Sequence, residues 1–383
     1  MGVRATKYNQ PTGYNDFENR ALKDSAIHTS AVSTVTIISA SGGNIADGVE
    51  PGNGYVYHTF TESGTFSVVG SGLTSVEVLL VASGGQGGGP MGGGGGAGGL
   101  LHGDYPVSPG DYTVSIGSST LGSISSAGLG QTGSNSEFFP TPVAPDPSHP
   151  TRCTAIGGGG GASYHNSYPG KKAGSGGSGG GTGGGYPPAP STGLHGLSTQ
   201  GDSGGLTGYG FRGGTGAGNP YSASGGGGAG AVGGAGSSNS AIGGDGGPGR
   251  QYPQFAADLI NLPVIAPAQS YFAAGGGGGG YPSAHSDAPG YEPNREFSRG
   301  GNPNSDELTG VGGAGHNNLN PTTPPYGYGD TGTGPTAPDK LRLHVYALDH
   351  TGSGGGGGSY SYNQPGQGAG GICCIRYLRI TSA

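Results

Sequence analysis

The sequence predicts a mainly β fold with much irregular structure: an N-terminal arm, a β framework and a bundle of polyglycine II segments. Three observations lead there. Glycine fills 95 of 383 positions and hydrophobic residues only 31%, against about 7% and 45–50% in ordinary globular domains, so a conventional apolar core of this length is excluded. The apolar residues gather into short runs with the two-residue alternation of strands. The glycines recur as short runs instead of one tract, and such repetition marks an architectural unit. With 29 prolines added, composition alone would indicate disorder. Charged residues at 10% and a net charge of -7 argue for order, because disordered chains resist collapse through high net charge.

Residues 1–50 form the predicted attachment arm and residues 51–383 the glycine-rich domain. In the arm, Asn15 and Asp16 cap a short helix reaching His28, and Ser33 to Ser41 is a β-branched strand candidate. Tyr55 to Phe60 and Thr65 to Val69 flank Glu62, Ser63 and Gly64, which predicts a hairpin. Thr74 to Ala82 (TSVEVLLVA) is apolar enough for a strand buried on both faces. Asp111 to Ile116 alternates after Gly110, and Ile372 to Ile380 is the last strand signal. Strands near 55–82, 111–116 and 372–380 therefore bracket the glycine-rich middle.

The clearest runs are 92–96, 157–161, 179–185 broken by Thr182, 225–228, 275–280 and 354–358. They bury almost no side chain, yet ordering them costs on the order of 1–2 kcal/mol per residue. Polyglycine II packing supplies compensation: an extended threefold helix has no internal hydrogen bonds, so its N–H and C=O groups bond to neighbouring segments instead. Glycine at every position lets neighbours approach on all sides. A run of five or six residues spans about 15–19 Å, so runs of matched length build a compact scaffold with loops at its ends.

Tyrosine marks those loops. The chain has 21 tyrosines and no tryptophan, and Tyr164, His165, Tyr168, Tyr186, Tyr281, Tyr291, Tyr360 and Tyr362 are the candidate binding residues at loop tips, most of them just beyond a glycine run. Tyrosine gives large contact area at low entropic cost with a polar tip, which suits a recognition surface. The same rings could instead cap the bundle ends and shield backbone from water.

Other motifs point away from catalysis. Gly201-Asp202-Ser203-Gly204-Gly205 matches the nucleophile segment of trypsin-like proteases, but the histidine context such a serine requires is missing, so no catalytic residue is expected. Asp202, Asp245 and Asp330 sit in glycine-flanked turns, where aspartate caps backbone. The histidines, His344 and His350 included, lack zinc-site spacing, so neither metal nor cofactor is expected. Arg212 and Arg299 open two RGG triplets, too few on an acidic chain for nucleic-acid binding. Cys153, Cys373 and Cys374 read as buried small hydrophobes in a chain made in a reducing cytoplasm. No signal-peptide stretch and no membrane span are expected.

The stretch YVYHTFTESGTFSV, then TSVEVLLVASGGQGGGPMGGGGGAGGLL, YPVSPGDYTVSIG, AIGGGGGAS and GGICCIRYLRI resembles the glycine-rich domain of phage tail fibres and appendages, including those of cyanobacterial phages. The resemblance covers roughly Tyr55 to Ile380. It departs at Cys373 and Cys374, where that family usually has valine or isoleucine. It implies a β framework with a glycine-helix bundle on a virion fibre. The expectation is a non-enzymatic virion surface protein presenting loops to a host-surface glycan or protein. Its expected partners are itself, as a homotrimer, and other virion proteins through residues 1–50; nucleic acid and membrane insertion are not expected. A passive capsid or neck decoration is the alternative, and a disordered elastomeric or RNA-associated protein a third.

Overall fold

A computed structural model describes residues 40–120, 128–141, 151–164, 172–185, 194–216, 222–237, 242–262, 270–280, 347–358 and 365–379, together with 297–298, 312 and 315–316. They belong to one compact unit, Ile38–Arg379. The helix expected from Asn15 and all but the end of the strand expected at Ser33 lie outside the described residues.

Two antiparallel sheets form the framework. The first runs in the order β1 (Ala40–Ser41), β4 (Gly64–Val68), β7 (Gly110–Ser115), β8 (Ser136–Pro140), β9 (Cys153–Ala155). The second runs β10 (Thr207–Tyr209), β6 (Leu100–Pro106), β5 (Ser75–Val81), β15 (Ile372–Leu378), β3 (Tyr55–Phe60), β2 (Ala46–Val49). Two small pairs add β11 (Arg250–Gln251) with β12 (Tyr271–Phe272) and β13 (Phe297–Ser298) with β14 (Gly315–His316). The only helical element among the described residues is a 3-10 turn at Pro253–Phe255. The fold is mainly β, as predicted. Residues 40–49 of the expected arm already pair within the sheets, through β1 with β4 and β2 with β3.

β3, β4, β5, β7 and β15 form where alternation placed them, but β3 and β4 are not the hairpin expected around Ser63. β3 lies between β15 and β2, while β4 lies between β1 and β7. The 61–63 connection turns a corner from one sheet to the other, because the apolar faces of the two strands bury each other across a sandwich. Rings meet there from both sheets: His58 with Phe66 edge-on at 5.1 Å, and Tyr105 with Phe138 at 5.1 Å. His58, buried, holds its Nδ1 2.7 Å from the Gly42 carbonyl oxygen, and burial lowers its pKa.

The other face of the second sheet is covered too. Tyr57, Leu79, Val81, Leu100, Ile372 and Cys374 pack against Tyr252, Phe255, Ile260 and Phe272. β5 is thus covered on both sides, as its largely apolar run predicted. Cys153, Cys373 and Cys374 are free, buried thiols; burial pushes Cys153 up to about 12.

The glycine segments continue directly from these strands, and their hydrogen bonds repeat every three residues. In 82–89, the amides of Ser83, Gln86 and Gly89 donate to the carbonyls of Ser134, Gln131 and Gly128. Those of Gly84 and Gly87 donate to Ala369 and Gly366, and those of Ala82, Gly85 and Gly88 to Gly99, Gly96 and Gly93. The partner changes at each residue and returns at the third. Segment 91–99 is enclosed by six others in the same way. It donates to 352–358 from Gly92, Gly95 and Gly98, to 156–162 from Gly93, Gly96 and Gly99, and to 224–227 from Gly94 and Ala97. It accepts from 82–88 at Gly93, Gly96 and Gly99, from 178–184 at Met91, Gly94 and Ala97, and from 276–279 at Gly92 and Gly95.

Every residue of 91–99 is buried although seven of the nine are glycine with no side chain to bury, so satisfied backbone groups replace apolar area as the cohesive element. The spacing is set by the missing Cβ. A Cβ added to Gly93, Gly94 or Gly95 would lie 2.0, 1.9 or 2.1 Å from the carbonyl oxygens of Gly181, Gly276 and Gly85, which belong to three different segments. Collagen needs glycine only where each third residue meets the crowded axis. Here all three directions are occupied, so consecutive positions must be glycine.

Candidate functional site

The hydrogen-bond register decides at which end of the bundle each connection falls. One end adjoins the framework: β5 runs into it at Ala82, β6 leaves it after Gly99, β9 enters after Ala155 and β15 starts after Gly371. At the opposite end lies the turn between Gly88 and Gly92, where Met91 takes a φ of 42° and is buried. Segments close in around that turn. Tyr164 N–H donates to Pro90 O (3.0 Å), Gly184 N–H to Met91 O (2.8 Å), Gly279 N–H to Gly92 O (2.8 Å) and Gly358 N–H to Gly88 O (3.1 Å).

Tyr164, Gly185, Gly280 and Gly358, each the last described residue of its segment, therefore lie around one turn. The outer segments agree: Gly214 bonds to Gly225, Ala223 to Gly279, and Ser237 to Ile242, so these described segment ends lie at the same end. Segment ends widely separated in sequence are thereby gathered around one turn. The opposite pole, beyond the sheets, holds the connections 50–54, 69–74 and 106–109. There the described chain begins at Ala40, paired with Val68, and ends at Arg379, whose N–H donates to Gly54 O at 2.9 Å.

Of the candidate tyrosine-loop residues, Tyr164 is described: it is half-buried at the mouth of its loop, held by its backbone. His165, Tyr168, Tyr186, Tyr281, Tyr291, Tyr360 and Tyr362 lie outside the described residues. The turn at Pro90 and Met91, which organises the loop-bearing end, was missed by sequence reasoning; its signal is the only break, Pro-Met, between two glycine triplets or longer runs at 87–96.

The protease-like segment is a structural turn. Gly204 and Gly205 take φ of 60° and 84°, Ser203 Oγ donates to Arg152 O (3.1 Å) and accepts from Thr154 N–H (3.0 Å), and Asp202 Oδ1 accepts from Gly208 N–H. Its serine and aspartate are thus committed to holding β9 and β10.

A family model described as a glycine-rich domain matches residues 60–290, more than half of the chain. The chain belongs to this glycine-rich domain family. No curated protein matches it. The matched stretch stops short of β15, the strand at the middle of the second sheet, so in this glycine-rich domain the folded unit runs on to Leu378.

A polar cluster ties that sheet to its cover and was likewise missed. Glu77 and Arg376, lone charges within apolar strands, are cross-strand partners. Glu77 Oε2 accepts from Arg376 Nε at 2.6 Å, while Oε1 accepts from Gln254 Nε2 at 3.1 Å and lies 2.9 Å from His102 Nε2. The Arg376 guanidinium lies over the rings of Tyr55 (4.2 Å) and Phe255 (5.5 Å). Burial raises the carboxyl's pKa, but the hydrogen bonds of His102, Gln254 and Arg376 outweigh it and hold Glu77 down to about 2. A depressed carboxylate stabilises the fold above its unfolded value of about 4.5, and that contribution is lost as pH falls towards 2. His58 adds to the same trend earlier, because its unfolded form takes a proton below about 6.5 that the folded form resists. Replacing Glu77 with Gln is expected to cost on the order of 2 kcal/mol at neutral pH and to flatten the acid limb of stability between pH 4.5 and 2. Urea midpoints measured across that range check both effects; an unchanged acid limb would refute the assignment.

Proposed function

We propose that the protein is a virion structural protein, a phage tail-fibre or appendage subunit. Its glycine segments form a polyglycine II bundle that presents loops for host-surface recognition. The observation that carries this reading is polarity: described segment ends far apart in sequence, at Tyr164, Gly185, Gly280 and Gly358, converge at one end of the bundle, while the described chain begins at Ala40 at the opposite pole, beyond the sheets. A particle-attached fibre subunit needs that separation between its anchored and its free end.

Two further features support the bundle. Three residues per repeat is the period of the extended left-handed helix, and among the described residues no glycine of the runs 92–96, 157–161, 225–228, 275–280 or 354–358 has a positive φ. The composition of the stretches that follow those segment ends also suits recognition. Residues 165–171, 186–193, 217–221, 238–241 and 359–364 contain Tyr168, Tyr186, Tyr221, Tyr360 and Tyr362 among serines, asparagines and prolines, with Lys171 their one formal charge. Rigid aromatic contact area with adaptable polar groups suits a host-surface glycan or protein. Under this reading the protein acts at the virion surface after synthesis in the host cytoplasm, is not an enzyme, uses residues 1–50 to contact other virion proteins, and assembles with itself as a homotrimer.

Adsorption of particles carrying the combined change Tyr168→Ala, Tyr186→Ala and Tyr360→Ala tests the proposal. The adsorption rate is expected to fall at least about tenfold, the loss of roughly 1.4 kcal/mol or more of binding, with the melting temperature of the purified protein unchanged. Normal adsorption by all loop variants would make the protein a passive decoration.

A further inference from the structure

The outermost row of glycine segments carries an apolar face that is left exposed among the described residues. Segments 194–199, 210–216 and 231–237 lie side by side: Gly213 N–H donates to Gly196 O (3.0 Å) and Gly233 N–H to Arg212 O (3.2 Å). Their inward sides bond to the row beneath, through Gly196 to Gly180, Phe211 to Gly228 and Gly225 to Gly234. Their outward side follows the three-residue period: Leu194 and Leu197 are exposed and Gly196 buried, Val232 and Ala235 exposed and Gly233 and Gly236 buried.

Exposed large apolar side chains are concentrated here. Among the described residues they are Val69, Leu129, Leu194, Leu197, Phe211, Val232 and Leu378, and four of these seven, 38–49% exposed, belong to this row. The backbone gives a second, independent mark. The amides of His195 and Ser198, of Arg212, and of Val232 and Ala235 meet no acceptor among the described residues. Within a segment these free donors recur at every third residue, about 9 Å apart for an extended threefold chain. The row is also nearly neutral, with Arg212 its one formal charge.

We infer that this row is the self-association surface of the protein, and that its occupant is a second copy of the chain. Free amides at threefold spacing are matched by a partner whose carbonyls have the same spacing, which glycine segments of this kind possess and ordinary strands or helices do not. Neutrality removes the charge repulsion that opposes like copies, and burying the Leu194, Leu197, Phe211 and Val232 side chains supplies the driving force. The inference deepens the proposed self-assembly by locating it on the glycine bundle and away from the sheets.

Sedimentation velocity on the full-length chain tests it. The unsubstituted protein is expected to sediment as a multiple of the 36.9 kDa chain at high micromolar concentration. The double variant Leu197→Glu with Val232→Glu is expected to return to the monomer with its melting temperature retained, while Val69→Glu, exposed at the far pole, still associates. If the double glutamate variant unfolds, Leu197→Ser with Val232→Ser is read in the same way. A monomeric unsubstituted chain, or association that survives these changes, overturns the inference. Because the readout is mass and not adsorption, either outcome leaves the loop proposal to its own test.

Discussion

Gly94→Ala is expected to destabilise the protein by about 3 kcal/mol or more, the upper range for inserting atoms into a closed interior. Gly94 lies in the segment surrounded on six sides, and its added Cβ would fall 1.9 Å from the Gly276 oxygen, 2.5 Å from the Gly276 carbon and 2.9 Å from the Gly226 nitrogen. All three are backbone atoms, so no side chain can swing aside. The segments must separate, and the three-residue bonding of their neighbours is lost with them. Gly185→Ala is the matched control, because a Cβ there has nothing within 4 Å; stability should hold or rise slightly through reduced freedom of the unfolded chain. Thermal melts and amide exchange in the 91–99 segment separate the two. Equal tolerance of alanine at both positions would mean that backbone contact does not set the spacing of the bundle.

Phe138→Ala is expected to cost about 3–5 kcal/mol, as for other fully buried aromatic side chains. Its ring is fully buried in the sandwich, stacked on Tyr112 at 5.5 Å and set edge-on to Tyr105 at 5.1 Å, so removal leaves a cavity that β-sheet neighbours cannot fill. The effect should reach the bundle. β5, β6, β9 and β15 run without a break into glycine segments, so a single urea transition is expected for the tyrosine near-UV signal and for exchange protection of the glycine amides. Protection that outlasts the tyrosine signal would show instead that the bundle stands without the sheets.

Much of the β framework was legible because strands announce themselves locally. The alternation in YVYHTF and GTFSV, and the largely apolar run in SVEVLLV, each specify an extended segment and the number of its buried faces within a few residues. Pairing was not legible in the same way. The hairpin expected at Ser63 became a corner, since alternation states which face is apolar but not whether that face meets a neighbour in the same sheet or in the opposite one. The Glu77–Arg376 pair stayed hidden for a related reason: its members are about three hundred residues apart and become adjacent only when β5 and β15 align in register.

The glycine runs divide along the same line. Their length, number and lack of side chains are properties of the sequence, and with the backbone's need for hydrogen-bond partners they require that the segments bond to one another. Which segment meets which, in what direction, and at which end each loop emerges are tertiary facts. Glycine carries no side chain to encode a preferred neighbour, so the choice is made by the strands that deliver each run into the bundle and by the three-residue register in which its carbonyls are met. The sequence by itself determined a mainly β protein with a glycine scaffold and tyrosine-bearing loops. Only the tertiary structure decided that the segment ends at Tyr164, Gly185, Gly280 and Gly358 share one end, because relative position along a bundle is set by bonds between segments distant in the chain.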